Sequence, residues 1–315
     1  MLRLIIGAAR SGKTSAIMDE ISALVEKGCG GTMLIVPEQY SHEAERELSA
    51  RCGDTTSLYA EVLSFTGLAR RVLAECGGGA EKQLDKAGKL LCMSYAVSMV
   101  SESLCLYKKA SGNLELQNAV LKAVDELKGA GADPEKLFEQ AEIKIKSGTY
   151  DILDEKMHDV ALLASAYDAV ASNGRLDPSD RLALLEKKLP ESSIGPGNRI
   201  YFDGFTDFTG MQMRVIKALL ALHAQVTVCL TLDKTEPEGS EIFSLSRECA
   251  ARLRGHRLSS HDWMVGDSWT DMQCAENAGV KAAFCAFGFG KLNDTRFTVK
   301  INRFDELLRY LKPEE

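Results

Sequence analysis

The sequence lacks the patterns that mark disulfide-bonded, zinc-finger and membrane-spanning proteins. Its nine cysteines include no C-x-x-C pair, and no histidine accompanies them at zinc-finger spacing. No apolar segment approaches the roughly 20 residues that a transmembrane helix needs. The first apolar run is interrupted by Arg3 and leads directly into a glycine-rich loop, which is not the composition of a signal peptide. We therefore expect reduced thiols, no membrane partner and a cytoplasmic location.

Positive charge is also scarce. The 315 residues include 38 Lys and Arg against 45 Asp and Glu, which gives a formal net charge of -7. Because the overall field repels phosphate, contact with nucleic acid would require a local basic strip or a partner protein. With 45% hydrophobic residues, no internal repeat and no low-complexity tract, the chain is predicted to be globular, with one large core or two ordinary ones.

The hydrophobic periodicity predicts an α/β fold with a helical insertion. Short apolar runs at residues 2–6 and 32–36 flank a helix-period stretch, which is the pattern of a β-α-β unit. From about 81 to 190 the sequence instead shows amphipathic helices. Strand signals return at residues 198–205 and 225–233. The sequence therefore predicts a parallel sheet whose strands are separated along the chain by a block of helices.

A glycine-rich loop follows the first predicted strand. Residues 7–14, GAARSGKT, match the pattern G-x-x-x-x-G-K-S/T in its required setting between a strand and a helix. In such loops backbone N–H groups surround phosphate oxygens at a helix N-terminus, a lysine reaches the β and γ phosphates, and a hydroxyl is placed for Mg²⁺. We therefore predict an ATP and Mg²⁺ site, with a glycine-rich turn that binds nothing as the alternative. The candidate residues are Gly7, Arg10, Ser11, Gly12, Lys13 and Thr14, the last also as a metal ligand.

The loop alone does not distinguish small-molecule kinases, transporters, GTPases and helicases, but the order of later motifs does. The stretches LIVPEQYSHEAERELS (34–49), EVLSFTGLARRVLAE (61–75) and IYFDGFTDFTGMQ (200–212) follow it along the chain. Together, residues 1–250 resemble the N-terminal region of the AddB-type (RexB-type) subunit of bacterial AddAB helicase-nucleases, which repair double-strand breaks. The resemblance implies a P-loop NTPase lobe of the superfamily 1 helicase type with a helical insertion. It also implies an AddA-type partner subunit and DNA in the complex; a small-molecule P-loop kinase is the enzyme alternative.

The resemblance also implies roles for residues beyond the loop. It places the Ser64-Phe65 stretch near the DNA path and Asp203 at a strand end as the acid on the Mg²⁺ side; alternatively Asp203 closes a strand and caps the next turn. Gln212 contacts nucleotide or is a solvated helix residue. Active helicases of this type have a Glu directly after the Asp, and here the next residue is Gly204. Without that base we expect turnover to fall by about 10²- to 10⁴-fold while binding survives.

Other parts of a complete helicase-nuclease are expected to be missing from the chain. The family's second helicase lobe would supply arginines that stabilise charge on the transferring phosphoryl group. Its nuclease domain and iron-sulfur cysteines find no match here either. We therefore expect the ATP-binding lobe of the B component of an ATP-dependent helicase/deoxyribonuclease, without independent helicase or nuclease activity, and we assign no catalytic residue.

The last part of the sequence resembles a different family. Residues 263–284, WMVGDSWTDMQCAENAGVKAAF, are similar to the last motif of haloacid dehalogenase-type phosphatases, especially the phosphoglycolate phosphatase group. Asp267 ends a predicted strand and Asp271 lies one helical turn later, so both are candidate Mg²⁺ ligands; the alternative is a helix N-cap and a first-turn acid. A Mg²⁺-dependent phosphatase is thus a second enzyme alternative. Its nucleophile motif D-x-D-x-T/V is missing, since the closest string starts at Asp203 and has Phe205 in place of the second Asp, and we expect no phosphatase activity.

Residues 251–261 are predicted to be a linker between the helicase-like lobe and a short α/β haloacid dehalogenase-like fragment, residues 262–315. If the two parts come from unrelated folds, the fragment lacks the strands that should flank its own. We therefore expect unpaired sheet edges, and apolar residues such as Phe284 short of packing partners.

Overall fold

The chain divides into two compact units. The computed structural model describes residues 1–78, 82–172, 175–232, 243–254, 263–266, 272, 281–285 and 296–301. The first unit comprises Met1–Leu68, Leu189–Phe208 and Met213–Glu315, and the second comprises Ala69–Lys188 and Thr209–Gln212. None of the helices in the described ranges is both long enough and apolar enough to cross a membrane.

A parallel sheet forms the centre of the first unit. Its strands are β1 (Leu2–Gly7), β2 (Thr32–Ile35), β3 (Ala60–Leu63), β4 (Arg199–Phe202), β5 (Gln225–Thr231), β6 (Trp263–Gly266), β7 (Lys281–Cys285) and β8 (Val299–Ile301). Their order in the sheet is β3-β2-β4-β5-β1-β6-β7-β8, and each neighbouring pair is parallel. The predicted α/β class with a parallel sheet is therefore confirmed.

Helices cover the sheet because its strands are apolar on both faces, as expected of parallel strands. All six residues of β1 are buried. Ile17 and Ile21, one turn apart on the helix that follows β1, pack in one core cluster with Leu34 of β2. The helices of this unit are α1 (Lys13–Glu26), α2 (Ser41–Cys52), α3 (Thr56–Tyr59) and α11 (Ser244–Arg254), while α4 (Phe65–Cys76) and α10 (Gly210–Ala221) extend across the unit boundary.

The second unit is helical, and it occupies the region predicted as the helical insertion. Its helices are α5 (Lys86–Val100), α6 (Leu114–Ala130), α7 (Pro134–Ser147), α8 (Ile152–Ala171) and α9 (Arg181–Lys188). Side chains of Asn113, Asp133 and Asp151 accept backbone N–H bonds at the starts of α6, α7 and α8, which satisfies donors that a helix leaves unpaired. Its core joins α5, α6 and α8 around the fully buried Tyr167.

The strands of the tail continue the sheet. Strand β6 pairs with β1 on one side, with Leu4 opposite Met264, and with β7 on the other. Phe284 is buried and its ring lies 6.0 Å from that of Phe297. The expectation of unpaired strands around β6 was therefore wrong, because β1 supplies the neighbour that the fragment's own sequence does not.

The predicted junction is partly helical. Residues 251–254 of the predicted linker form the last turn of α11 rather than a linker. The rest of that segment, residues 255–261, lies outside the described residues, as do the two predicted helices of the tail apart from Met272. The sequence analysis missed β3 and β8, which have only four and three residues.

Candidate functional site

The candidate site lies where three adjacent strands of the first unit end. Strands β4, β5 and β1 are neighbours in the sheet, and their carboxyl ends meet at one edge, the usual place for ligand binding in open parallel sheets. A cavity of about 390 Å³ opens there. Residues 9–15 line it on one side and residues 203–206 on another, with Cys229 and Thr231 of β5 between them. The predicted glycine-rich loop and the predicted acid therefore face the same cavity.

The loop between β1 and α1 depends on its glycines. Gly12, the N-cap of α1, has φ +86°, a backbone conformation that side chains disfavour. A Cβ on Gly7 would lie 2.8 Å from the Ser11 Oγ. The non-glycine Arg10 also has a positive φ, 61°, and its side chain is exposed. Such strain persists where the surrounding structure holds it, and it is common at ligand-binding loops.

Lys13 is held over the loop. Its ammonium group donates hydrogen bonds to the carbonyl oxygens of Gly7 at 2.9 Å and Ala8 at 2.6 Å. These contacts keep the lysine beside the backbone that a phosphate would approach. Together with Arg10 it gives the mouth of the cavity two positive charges in a chain whose net charge is -7. The local charge therefore favours an anion at this point.

Thr14 and Asp203 are in direct contact although 189 residues separate them. The Thr14 hydroxyl donates to Oδ2 of Asp203 at 2.7 Å. Asp203 directly follows β4, and its own backbone N–H donates to the carbonyl of Ile35 at 3.0 Å, so the main chain is held in register beside β2. Asp203 is only 9% exposed. The arrangement directs a hydroxyl and a carboxylate, both oxygen ligands that suit Mg²⁺, toward the start of α1.

Cys229 closes the back of the site. It lies on β5 and is buried, and burial followed by the negative charge of Asp203 raises the pKa of its thiol well above the ordinary value. The thiol therefore stays protonated and unreactive at neutral pH. The sequence analysis did not identify Cys229 or Thr231 as lining residues, although the end of a strand beside β1 is where such residues occur.

Gly204 stands where active helicases of the resembled type have a glutamate, and its backbone does not suit a side chain. It has φ +79°, and a Cβ there would lie 3.2 Å from Cδ of Pro37. Asp203 is the only carboxylate among the described residues that line the cavity. A general base adjacent to the acid is thus absent from the described lining.

Introducing that glutamate should not restore turnover. In Gly204→Glu we expect no rise in Mg-ATP hydrolysis, because the side chain must adopt an unfavourable φ against Pro37. We expect instead a loss of about 1–3 kcal/mol in the free energy of unfolding, measured by urea titration. Gly30→Glu, at an exposed glycine with no atom within 4 Å of its Cβ position, is the matched control and should change stability little. A stable Gly204→Glu protein with rapid hydrolysis would contradict this account.

The comparisons with known proteins agree with the site. A family model described as the N-terminal region of AddB matches residues 4–261, more than half of the chain. The chain belongs to the AddB N-terminal family. A second family model, described as HAD-hydrolase-like, matches residues 244–308 of this AddB N-terminal chain, so the resemblance of its tail is confirmed as well.

Several relatives are named as the B component of an ATP-dependent helicase/deoxyribonuclease. That of Caldanaerobacter subterraneus subsp. tengcongensis is 36% identical over 233 residues, covering 74% of this chain and 20% of the relative. That of Moorella thermoacetica is 34% identical over 266 residues, covering 82% and 23%. The Bacillus cereus protein (strain ATCC 10987 / NRS 248) is 31% identical over 238 residues, covering 74% and 20%. The AddB N-terminal chain thus spans about a fifth of the length of the curated relatives it matches.

The remaining predicted residues of the AddB N-terminal chain have local roles or lie outside the described ranges. Gln212 belongs to the second unit, where its side chain accepts the backbone N–H of Thr209 at 3.0 Å and so caps the start of α10; its contact with nucleotide stays a prediction. Ser64 caps α4 by accepting the N–H of Gly67 at 3.1 Å. Phe65 is buried against the rings of three other phenylalanines, and its place near a DNA path stays a prediction. The candidate Mg²⁺ ligands Asp267 and Asp271 lie outside the described residues.

Proposed function

We propose that this chain is the Mg-ATP-binding lobe of the B component of an ATP-dependent helicase/deoxyribonuclease, of the P-loop type found in superfamily 1 helicases. The observation that carries the proposal is the 2.7 Å hydrogen bond from Thr14 to Asp203. It joins the last residue of a phosphate-loop pattern to an acid at the end of a neighbouring strand. A glycine-rich turn without a ligand would not require that long-range contact.

The cavity has the size and charge that a nucleotide needs. Its volume of about 390 Å³ falls within the range of small-molecule sites. The backbone N–H groups at the start of α1 and the ammonium of Lys13 would hold phosphate oxygens, and the Arg10 guanidinium adds positive charge at the mouth. Thr14 and Asp203 would hold Mg²⁺, which takes few protein ligands and keeps several waters. When bound, Mg-ATP supplies a hydrolysable phosphoanhydride.

The proposal is one of binding with slow turnover. Gly204 occupies the position where a base would orient the attacking water, and its backbone and the nearby Pro37 disfavour any side chain there. The names of the relatives describe one component of a larger enzyme, which supports assembly with an AddA-type partner and action on DNA in double-strand break repair as part of the proposal. In such an assembly the lobe would report or stabilise the nucleotide-bound form rather than drive unwinding alone.

A phosphatase function is not supported by the site. The string nearest to the required nucleophile motif begins at Asp203, whose carboxylate instead accepts the Thr14 hydroxyl. Phe205 stands where the general acid of that motif would be, and it lines the same cavity. A small-molecule kinase is disfavoured by the order of the motifs and by the family match.

A double-mutant cycle between Thr14 and Asp203 tests the proposal. Thr14→Val and Asp203→Asn should each weaken Mg-ATP binding by about 10-fold, because each removes a ligand of the metal. The double variant should bind only slightly more weakly than either single variant, since residues that act on one metal are coupled by about 0.5–3 kcal/mol. Isothermal titration calorimetry measures all four proteins. Unchanged affinity in both single variants, or strictly additive losses, would contradict a shared metal site.

A further inference from the structure

Three potential metal ligands converge in the second unit, in residues that the proposed nucleotide site does not use. Cys105 lies in the segment between α5 and α6, and His158 and Asp159 are consecutive residues of α8. The Cys105 Sγ lies 3.6 Å from Nδ1 of His158, and that nitrogen lies 3.0 Å from Oδ1 of Asp159. All three donor atoms lie within 4.8 Å of one another. The sulfur, nitrogen and oxygen donors therefore share one small volume.

The separations suit a tetrahedral transition metal. Zinc bonds of about 2.3 Å to sulfur and 2.0–2.1 Å to nitrogen place a thiolate and an imidazole nitrogen about 3.6 Å apart at a tetrahedral angle. The same geometry places nitrogen and carboxylate oxygen roughly 3.3 Å apart. The observed 3.6 Å and 3.0 Å differ from these values by no more than a small side-chain movement. The three side chains thus form most of a coordination sphere, and water or Glu155 can complete it.

The surroundings hold the proposed ligands in place. Oδ1 of Asp159 accepts the backbone N–H of Cys105 and Oδ2 accepts that of Tyr107, both at 2.8 Å. The ring of His158 stacks on Phe138 with centroids 4.7 Å apart. Hydrogen bonds to a ligating carboxylate and fixed ring orientation are what outer-shell contacts provide at metal sites.

The charge of the cluster also favours a cation. Asp159 is completely buried, and its hydrogen-bond partners in the described part of the chain are the two backbone N–H groups and His158, with no Lys or Arg among them. Buried charges are normally paired or bound to metal. Burial and the charges of Asp159 and Glu155 raise the pKa of the Cys105 thiol, and the same negative field attracts a dication. Cys105 itself is exposed, which leaves a path from solvent.

We propose that Cys105, His158 and Asp159 bind a divalent transition-metal ion, Zn²⁺ by the nature of the three donors. A thiolate with one imidazole and one carboxylate is a borderline-soft set, which suits zinc better than magnesium or calcium. The ion would fasten the segment around Cys105 to α8. Its place in the helical unit makes it independent of the proposed ATP site.

The test uses the full chain, stripped of metal with a chelator and titrated with Zn²⁺ against a chromophoric competitor. We expect Cys105→Ser to weaken zinc binding by at least about 100-fold, more than the loss of an outer-shell contact costs. Cys29→Ser, a half-buried cysteine in the first unit, is the matched control and should bind zinc like the wild type. Co²⁺ added to the wild type should produce thiolate-to-metal charge-transfer absorption that Cys105→Ser lacks.

A second variant separates metal binding from folding. His158→Asn should also lose the metal, and circular dichroism of the metal-free protein shows whether it is folded. Zn²⁺ at about 100 times its dissociation constant should raise the melting temperature of the wild type by about 5 °C and that of Cys105→Ser by much less. No zinc binding by the folded wild type, or equal affinity in Cys105→Ser, would overturn the proposal.

Discussion

Replacing Lys13 with alanine should weaken binding of Mg-ATP by about 100-fold. Its ammonium group lies 2.6–2.9 Å from two loop carbonyls, positioned where phosphate oxygens would take over as acceptors. Charge-assisted hydrogen bonds of this kind are worth about 1.5–3 kcal/mol each, and roughly 2.7 kcal/mol corresponds to a 100-fold change in affinity. Isothermal titration calorimetry of the two full-length chains measures the difference.

The matched control is Lys27→Ala. Lys27 is the exposed C-cap residue of the same helix, so the substitution removes the same charge from α1 at the opposite end. We expect the affinity of this variant for Mg-ATP to stay within about two-fold of the wild type, because exposed distant charges are screened by salt. Equal affinities in wild type and Lys13→Ala would show that the loop does not hold the phosphates.

Replacing Glu20 with alanine should lower the free energy of unfolding by about 3–5 kcal/mol. Glu20 accepts hydrogen bonds from Arg3 and from the Tyr201 hydroxyl, both at 2.7 Å, in the interior of the first unit. Arg3 and Glu20 are 4% and 9% exposed. Removing the carboxylate leaves the guanidinium buried without its counter-charge, and breaking a buried pair in this way is strongly destabilising. Urea titration followed by circular dichroism measures the loss.

Glu26→Ala is the control for helix propensity and charge. Glu26 is the exposed last residue of the same helix, so its loss should change the free energy of unfolding by no more than about 0.5 kcal/mol. Tyr201→Phe, which removes only a hydroxyl, should cost about 1–3 kcal/mol because one carboxylate oxygen loses its buried donor. A loss in Glu20→Ala as small as that in Glu26→Ala would mean that the pair does not stabilise the sheet.

The local parts of the fold could be predicted from sequence because each has its own hydrophobic period. The fully buried β1 and the helix after it follow the pattern of a β-α-β unit, and the helical insertion appeared at nearly its observed bounds. Strand β3 was missed because only Ala60 of its four residues is buried, so it lacks the apolar run of an inner parallel strand. The pairing of β6 with β1 was not predictable, since periodicity carries no information on which strands become neighbours.

The same limit applies to the functional sites. The phosphate loop was visible because its residues are contiguous and its chemistry requires a fixed spacing. The contact of Thr14 with Asp203 depends on the sheet order that brings β4 near β1, and the sequence supplied it only through family resemblance. The cluster at Cys105 was missed because 53 residues separate it from His158, a spacing that no common metal motif has.

Titration of the wild-type chain with ATP, in the presence of Mg²⁺ and again in EDTA, tests the central claim most directly. A site formed by the loop, Thr14 and Asp203 predicts one ATP bound per chain with Mg²⁺ and an affinity at least about 10-fold weaker in EDTA. A correctly folded chain that binds no ATP, or that binds it equally well without Mg²⁺, would contradict the account.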